Sequence, residues 1–295
     1  MNAKLLSYLS SAIRAATQRP CEIARAIPIV GGSINQAYRL EGADGGRYFL
    51  KLNDAQHLPM FEAEVTGLTT IAAMHTLRIP HPIAHGVAGD HSYLVLEHLE
   101  LSSRGDAKLL GAQLAALHRC SAEQFGFTQD NFIGTTAQPN TRTDDWIAFW
   151  REQRLGFQLQ LAAENGYGGA LQKSGAQLLD MLPAFFENHT PQPSLLHGDL
   201  WGGNHAYLAD GTPVIFDPAT YYGDRECDLA MTELFGGFCA DFHIAYRTTW
   251  PLDKGYEIRR DLYNLYHVLN HANLFGGGYV RQAAQLIRKL LDEPD

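Results

Sequence analysis

Leu5, Leu6, Leu9 and Ile13 recur every three or four residues, which predicts an amphipathic opening helix over about residues 4 to 18. The period then shortens. Residues 27 to 52 (IPIVGGSINQAYRLEGADGGRYFLKL) read as two or three strands, broken by a Gly-Gly turn and by the Gly-rich hairpin from Gly42 to Gly46. A helix is expected from about Met60 to Leu77, ended by Pro80 and Pro82, and HSYLVLEHLE then supplies a strongly apolar strand. Beyond it the pattern turns helical, at about Gly105 to His118, 144 to 164 and 173 to 187. A strand-turn-strand block follows from Leu195 to Asp217, and helices return from about Asp228. The expected architecture is α+β and bilobal, with a small β-rich N-terminal lobe over residues 1–98 and a larger, mainly helical C-terminal lobe over 99–295.

Composition narrows the classes of function. A length of 295 residues suits two lobes sharing a cleft, and 45% hydrophobic against 19% charged residues is ordinary for a soluble globular chain, so disorder is not expected. The formal net charge of -9 argues against a nucleic-acid-binding face, which needs clustered Lys and Arg. Neither a long apolar run nor a signal-peptide core is visible, so the expectation is a cytoplasmic protein without a membrane segment. Cys21, Cys120, Cys227 and Cys239 form no C-x-x-C pair, and the 13 histidines form no H-E-x-x-H pair, so neither suggests a zinc site.

The densest chemistry is LLHGDLWGGNHAYLADGTPVIFDPA, residues 195 to 219. Apolar runs lead into His197 and into Asp217, so both acids, Asp199 and Asp217, are expected at strand ends, where a rigid backbone presents side chains to a cleft. Phosphoryl transfer from ATP needs a carboxylate to accept the acceptor hydroxyl's proton and hard oxygen ligands for Mg²⁺. The run from His197 through Asp199 to Asn204, followed by a strand ending in Asp217, supplies that set. The bland alternative is that these residues cap turns.

Other features gain meaning in that company. Gly31 and Gly32, between strand-like runs, suit a phosphate-covering loop, to which Ser33 and Asn35 would add donors; hairpin geometry alone also explains the glycines. Lys51 in YFLKL faces away from Leu50 and Leu52, as a lysine that neutralises inner phosphates would, with Glu64 on the next helix as its partner; a solvated strand lysine is the alternative. Residues Leu94 to Glu97 would form the hinge whose backbone meets adenine. Asp228 stands where a helix should begin, as its N-cap or a first-turn acid, and can also steady the catalytic loop.

These blocks resemble the fructosamine/ketosamine kinases of the protein-kinase-like superfamily, which are related to aminoglycoside phosphotransferases and choline kinases. The resemblance runs through GGSINQAYRL, YFLKL, HGDLWGGN, VIFDPATYYGDRECDLAMTELFGGF and LYNLYHVLNHANLFGGGY. It implies ATP and magnesium between two lobes and phosphorylation of the 3-hydroxyl of a ketosamine, a sugar joined to an amine or glycated protein, whose product then breaks down. Bacterial members prefer ribulosamine- or erythrulosamine-type substrates on this reading. Position by position, the resemblance makes Asp199 the base, Asn204 and Asp217 magnesium ligands, and Lys51 with Glu64 the phosphate-positioning pair. Trp201 would offer the sugar an apolar platform, unless it is a core residue, and Asp224 and Glu226 would meet the substrate's cationic amine, unless they are solvated loop acids. Ser33 stands where many relatives carry Cys, so the likeness does not extend to thiol control through that loop. Asp217-Pro218-Ala219 replaces the DFG of protein kinases. A kinase for an aminoglycoside or amino alcohol, or a nucleotide-binding scaffold, are the rival readings, and oligomeric state is not legible.

Overall fold

The computed structural model describes residues 1 to 30 and 34 to 293. Its contacts divide into two compact units, residues 1–105 with 206–217, and residues 106–205 with 218–295.

In the first unit, α1 (Ala3–Thr17) is capped by Asn2, whose side chain accepts from the Leu5 amide at 2.9 Å. Strands β1 (Ile23–Ile29), β2 (Gln36–Gly42) and β3 (Arg47–Asp54) pair antiparallel, with the expected turn closing between Gly42 and Gly46. Helix α2 (Leu58–Ala73) takes Pro59 into its first turn, where no amide hydrogen is needed, so it begins two residues before the expected start. It stops at Ala73 because His75 turns left-handed, with φ 54°. The sheet is completed by β4 (Pro82–Ala88) and β5 (His91–Glu97), in the order β1-β2-β3-β5-β4. β4 was not expected from a segment marked by Pro80 and Pro82. It lies at the sheet edge, where a proline at the first position of a strand removes no needed hydrogen bond. Leu5, Leu9 and Ile13 of α1 pack with Leu40, Leu50, Leu52 and Val95 in one core.

In the second unit, α3 (Ala107–His118) starts at Asp106, which accepts from the Leu109 amide at 2.9 Å. A short hairpin of β6 (Asn131–Ile133) and β7 (Thr136–Gln138) precedes α4 (Trp146–Trp150). That helix runs through a π-helical segment, residues 151–156, into α5 (Phe157–Glu164), where one long helix was expected. The expected helix over 173 to 187 is α6 (Ala170–Met181) followed by a 3₁₀ turn, Leu182–Phe186, with Pro183 in its first positions. Strand β8 (Ser194–Leu196) leads to the catalytic motif. The hairpin of β9 (His205–Tyr207) and β10 (Pro213–Ile215) turns at Asp210 and Gly211, as expected, and all but His205 belongs to the first unit. Strand β11 (Tyr221–Gly223) pairs antiparallel with β8. Helices α7 (Glu226–Leu234), α8 (Ala240–Thr249), α9 (Tyr256–Phe275) and α10 (Gly278–Asp292) finish the unit around an aromatic core that includes Trp146, Phe149, Trp150 and Tyr263. The α+β class expected from the pattern is the one observed. Among the described residues, no helix is long and apolar enough to cross a membrane.

Candidate active site

Alternation along β3 decides what the first unit offers. Leu50 and Leu52 face the α1 core, so Lys51 points from the other side of the sheet, and it is buried. Its Nζ donates to Glu64 Oε1 on α2 and to Asp217 Oδ1, each at 2.6 Å. A solvated strand lysine is therefore excluded. Glu62, about 200° around the helix from Glu64, is exposed. Burial alone would lower the lysine's pKa, but the charges of Asp217 and Glu64 outweigh it, so the ammonium is held more firmly than usual. Burial pushes Glu64 up to about 7, with Lys51 opposing and Asp217 reinforcing the rise. Two carboxylates thus share one ammonium. Asp217 lies in the left-handed region, φ 58°, and its side chain is 45% exposed. An oxygen-rich, net negative group of this kind has the donor chemistry of a divalent cation site.

The other expected nucleotide residues that are described, Asn35 and Glu97, have partners of their own. Asn35 Oδ1 accepts from Asn53 Nδ2 at 2.7 Å. Glu97 ends β5, where its amide donates to the His81 carbonyl at 2.9 Å and its carboxylate accepts from the Arg78 guanidinium. Gly31, Gly32 and Ser33 lie outside the described residues.

In the second unit, Asp199 sits three residues beyond β8, in a loop closed on itself by Asn204. Asn204 Nδ2 donates to the Asp199 carbonyl at 2.9 Å and to Asp199 Oδ2 at 3.1 Å, while the Asn204 amide donates to the Trp201 carbonyl at 2.9 Å. The loop is held from behind by Asp228 in the first turn of α7. Its Oδ2 accepts from the His197 amide at 2.7 Å and its Oδ1 from the Gly198 amide at 2.8 Å. Gly198 has φ 84°, and a Cβ there would stand 2.1 Å from the Ala219 carbonyl oxygen, so no other residue fits. Asp228 is also contacted by His118 Nε2 at 3.1 Å, and His118 Nδ1 lies 2.8 Å from the Tyr246 hydroxyl. With that hydroxyl donating to Nδ1, Nε2 carries the proton given to Asp228. Burial would raise the Asp228 pKa, but the His118 hydrogen bond and the neighbouring donors bring it below the ordinary carboxylate range. His118 and Tyr246 were not anticipated; a histidine ending a helix gives no sign that its partner lies 110 residues further on.

Trp201 is 40% exposed, which excludes the core reading. Asp224 and Glu226 require a correction. They are 1% and 0% exposed, neither solvated nor open to a substrate amine. Asp224 Oδ2 accepts from Tyr263 at 2.5 Å and from His189 Nε2 at 2.7 Å, and Glu226 forms a two-pronged pair with Arg259 at 2.7 and 3.0 Å. Buried charges are retained only when paired in this way, so these two acids brace the interior of the second unit.

Comparison with known proteins gives this arrangement a context. A family model described as fructosamine kinase matches residues 6–293. A probable ketoamine kinase of Synechocystis sp. is 48% identical over 287 residues, covering 96% of each chain. The chloroplastic protein-ribulosamine 3-kinase of Arabidopsis thaliana is 43% identical over 261 residues, 87% of this chain and 79% of the relative. A solved structure named for fructosamine-3-kinase, from Haemophilus somnus, superposes with a TM-score of 0.87 at 29% identity, covering 96% of each chain.

Proposed function

Because the chain belongs to the fructosamine kinase family, we propose that it is an ATP-dependent ketosamine 3-kinase, which phosphorylates the 3-hydroxyl of ribulosamine, erythrulosamine or fructosamine adducts. The phosphorylated adduct then breaks down, so the reaction removes early glycation from small amines or proteins in the cytoplasm. The observation that carries the reading is the family match across both units, in a chain that keeps a carboxylate and an amide locked together in the loop after β8. The relatives named for ketoamine and ribulosamine kinases support the acceptor class.

In this reading Asp199 receives the proton of the acceptor hydroxyl as the oxygen attacks the γ-phosphorus and ADP leaves. The Asn204 amide and the Asp228 anchor fix the direction in which that carboxylate points, and most of the rate enhancement comes from such positioning. Lys51, kept charged and oriented by Glu64, meets the nucleotide's phosphates with the loop of Gly31, Gly32 and Ser33. Asn204 and Asp217 would hold magnesium, which when bound offsets the charge of the phosphates. The exposed Trp201 ring gives the sugar an apolar face.

An ATP-consumption panel of ribulosamines, erythrulosamines, fructosamines, aminoglycosides and choline tests the proposal. Turnover confined to the ketosamines is expected. Preferred turnover of an aminoglycoside or choline would overturn the acceptor class, and no turnover of any compound would overturn the kinase reading.

A further inference from the structure

A buried polar cluster in the second unit has no place in the chemistry above. Asn131 on β6, Gln138 on β7, and Asn140 and Arg154 beyond them are all at most 5% exposed. Polar side chains are rarely buried in such number without a task, because each must find partners.

The hydrogen bonds leave each amide one orientation. Gln138 Oε1 accepts from the Tyr266 hydroxyl at 2.7 Å, and both hydrogens of its Nε2 are used, on Asn131 Oδ1 at 2.7 Å and on the Ala219 carbonyl at 3.1 Å. Asn131 Oδ1 also accepts from Asn140 Nδ2 at 3.0 Å, and Asn131 Nδ2 donates to the Thr220 carbonyl at 2.7 Å. Asn140 Oδ1 in turn accepts from Arg154 at 2.7 Å. Turning over any one amide would set acceptor against acceptor, so the chain of bonds is directed. Arg154 has no acidic partner among the described residues. Its charge rests on the Pro139 and Gln153 carbonyls at 2.6 and 2.9 Å and on the faces of Tyr221 and Phe149, 4.1 and 4.5 Å from the guanidinium carbon. The π-helical turn from Arg151 to Gly156 carries this arginine; a Cβ on Gly156 would lie 2.4 Å from the Arg151 carbonyl oxygen, and such turns are often kept where function needs them.

What the cluster grips is the backbone that supports the catalytic loop. The Ala219 amide donates to the His197 carbonyl at 2.9 Å, and the Ala219 carbonyl is the atom that forbids a Cβ on Gly198. Asp228 holds His197 and Gly198 by their amides, and Ala219, next to Thr220, holds the same dipeptide by the His197 carbonyl. We propose that Asn131, Gln138, Asn140 and Arg154 are positioning residues for phosphoryl transfer, acting through Ala219 and Thr220 on the loop that carries Asp199. The inference rests on the kinase reading of Asp199.

Gln138→Leu and the isosteric Gln138→Glu, which cannot donate both hydrogens, are to be compared with Leu178→Ala, a core truncation in α6 chosen to give a similar fall in Tm. All are assayed well below their Tm with a ketosamine that the unaltered chain turns over. The Gln138 variants are expected to lose kcat about tenfold to a hundredfold with KM for ATP within about twofold, whereas Leu178→Ala keeps its kcat. Hydrogen exchange at the Ala219 amide, measured without substrate, is expected to quicken in the Gln138 variants alone. Equal kcat in all the variants, or unchanged exchange at Ala219, would overturn the proposal. If the unaltered chain turns over no ketosamine, it is the kinase reading that fails, and the exchange result still decides whether the cluster holds this backbone.

Discussion

The two units secure their functional groups by different means. In the first, a lysine at the end of a flexible stem is held by side chains, the Glu64 and Asp217 carboxylates at 2.6 Å. In the second, a carboxylate on a short side chain is aimed by its backbone, which Asp228 grips at two successive amides and Ala219 at a carbonyl. Ion pairs between side chains can exchange partners when a ligand brings charge, as phosphate binding requires. Backbone anchoring leaves the base little freedom, and proton transfer rewards a fixed geometry. The difference teaches that charge at Lys51 and direction at Asp199 are separable, and substitutions should separate them.

The largest effect is expected at the groups that act directly. Asp199→Asn keeps the shape of the side chain and removes its basicity, so kcat should fall about 10²–10⁴-fold with Tm nearly unchanged. Asp217→Asn should lower kcat by a similar order, because an anionic oxygen ligand becomes a neutral amide. Near-normal turnover by either variant would break the comparison at its root, because that region would then lack the chemistry assigned to it.

Next come the anchors. Asp228→Ala leaves the His197 and Gly198 amides buried without an acceptor, at about 1–3 kcal/mol each, so urea denaturation should show a loss of about 3 kcal/mol together with reduced kcat. Lys51→Met keeps the buried stem, and Asp217 is half-exposed, so its cost should lie below the about 3–5 kcal/mol of a fully buried broken pair, while kcat/KM for ATP drops about 10²–10³-fold. If Lys51→Met destabilised the chain more than Asp228→Ala, the side-chain contact would be the true structural anchor and the contrast would reverse.

Legibility in the sequence follows the same division. Elements with a regular apolar recurrence, such as α1 with Leu5, Leu9 and Ile13, could be read directly, and Lys51 could be set on its face because neighbouring leucines fix the alternation. Asp199, Asn204 and Asp217 stood out because spacing within one short stretch of chain is a local property. Long-range pairing was not legible. The three-residue strands β6, β7 and β11 are too short to show a period, and β4 is disguised by a proline that only an edge position tolerates. Asp224 and Glu226 read as surface acids because charge ordinarily means exposure, and their burial depends on His189 and Arg259, 35 and 33 residues away. The same holds for Gln138, whose partner Tyr266 is 128 residues distant.

A smaller effect is expected at Trp201, which contributes a surface and neither charge nor anchoring. Trp201→Ala should raise KM for the ketosamine about fivefold, in keeping with about 1 kcal/mol from an aromatic face, and leave KM for ATP unchanged. Unaltered constants for every ketosamine would remove this residue from the acceptor side of the comparison.

The smallest effect probes one of the ionic contacts that the second unit does contain. His189 lies between Asp253 and Asp224, 2.7 Å from each, so both ring nitrogens donate and the imidazolium is the form that fits. Burial would lower its pKa, but the hydrogen bond and charge of Asp224 outweigh that and raise it above 6.5, while the same contact draws Asp224 below its ordinary value against burial. A raised histidine pKa means that the folded chain keeps its proton where the unfolded chain has begun to lose it. The contribution is therefore complete below about pH 6.5 and is lost as pH rises through the higher folded value. Urea midpoints should decline over that window, and His189→Gln should flatten the decline and lower stability at pH 6 by on the order of 1 kcal/mol. Because the hydrogen bonds and ion pairs of the His189 ring among the described residues go to Asp224, Glu226 and Asp253, kcat of this variant at pH 7 should match that of the unaltered chain. A fall in kcat would mean that side-chain ion pairs aim Asp199 as well as brace its surroundings, and the line drawn between the two units would have to move.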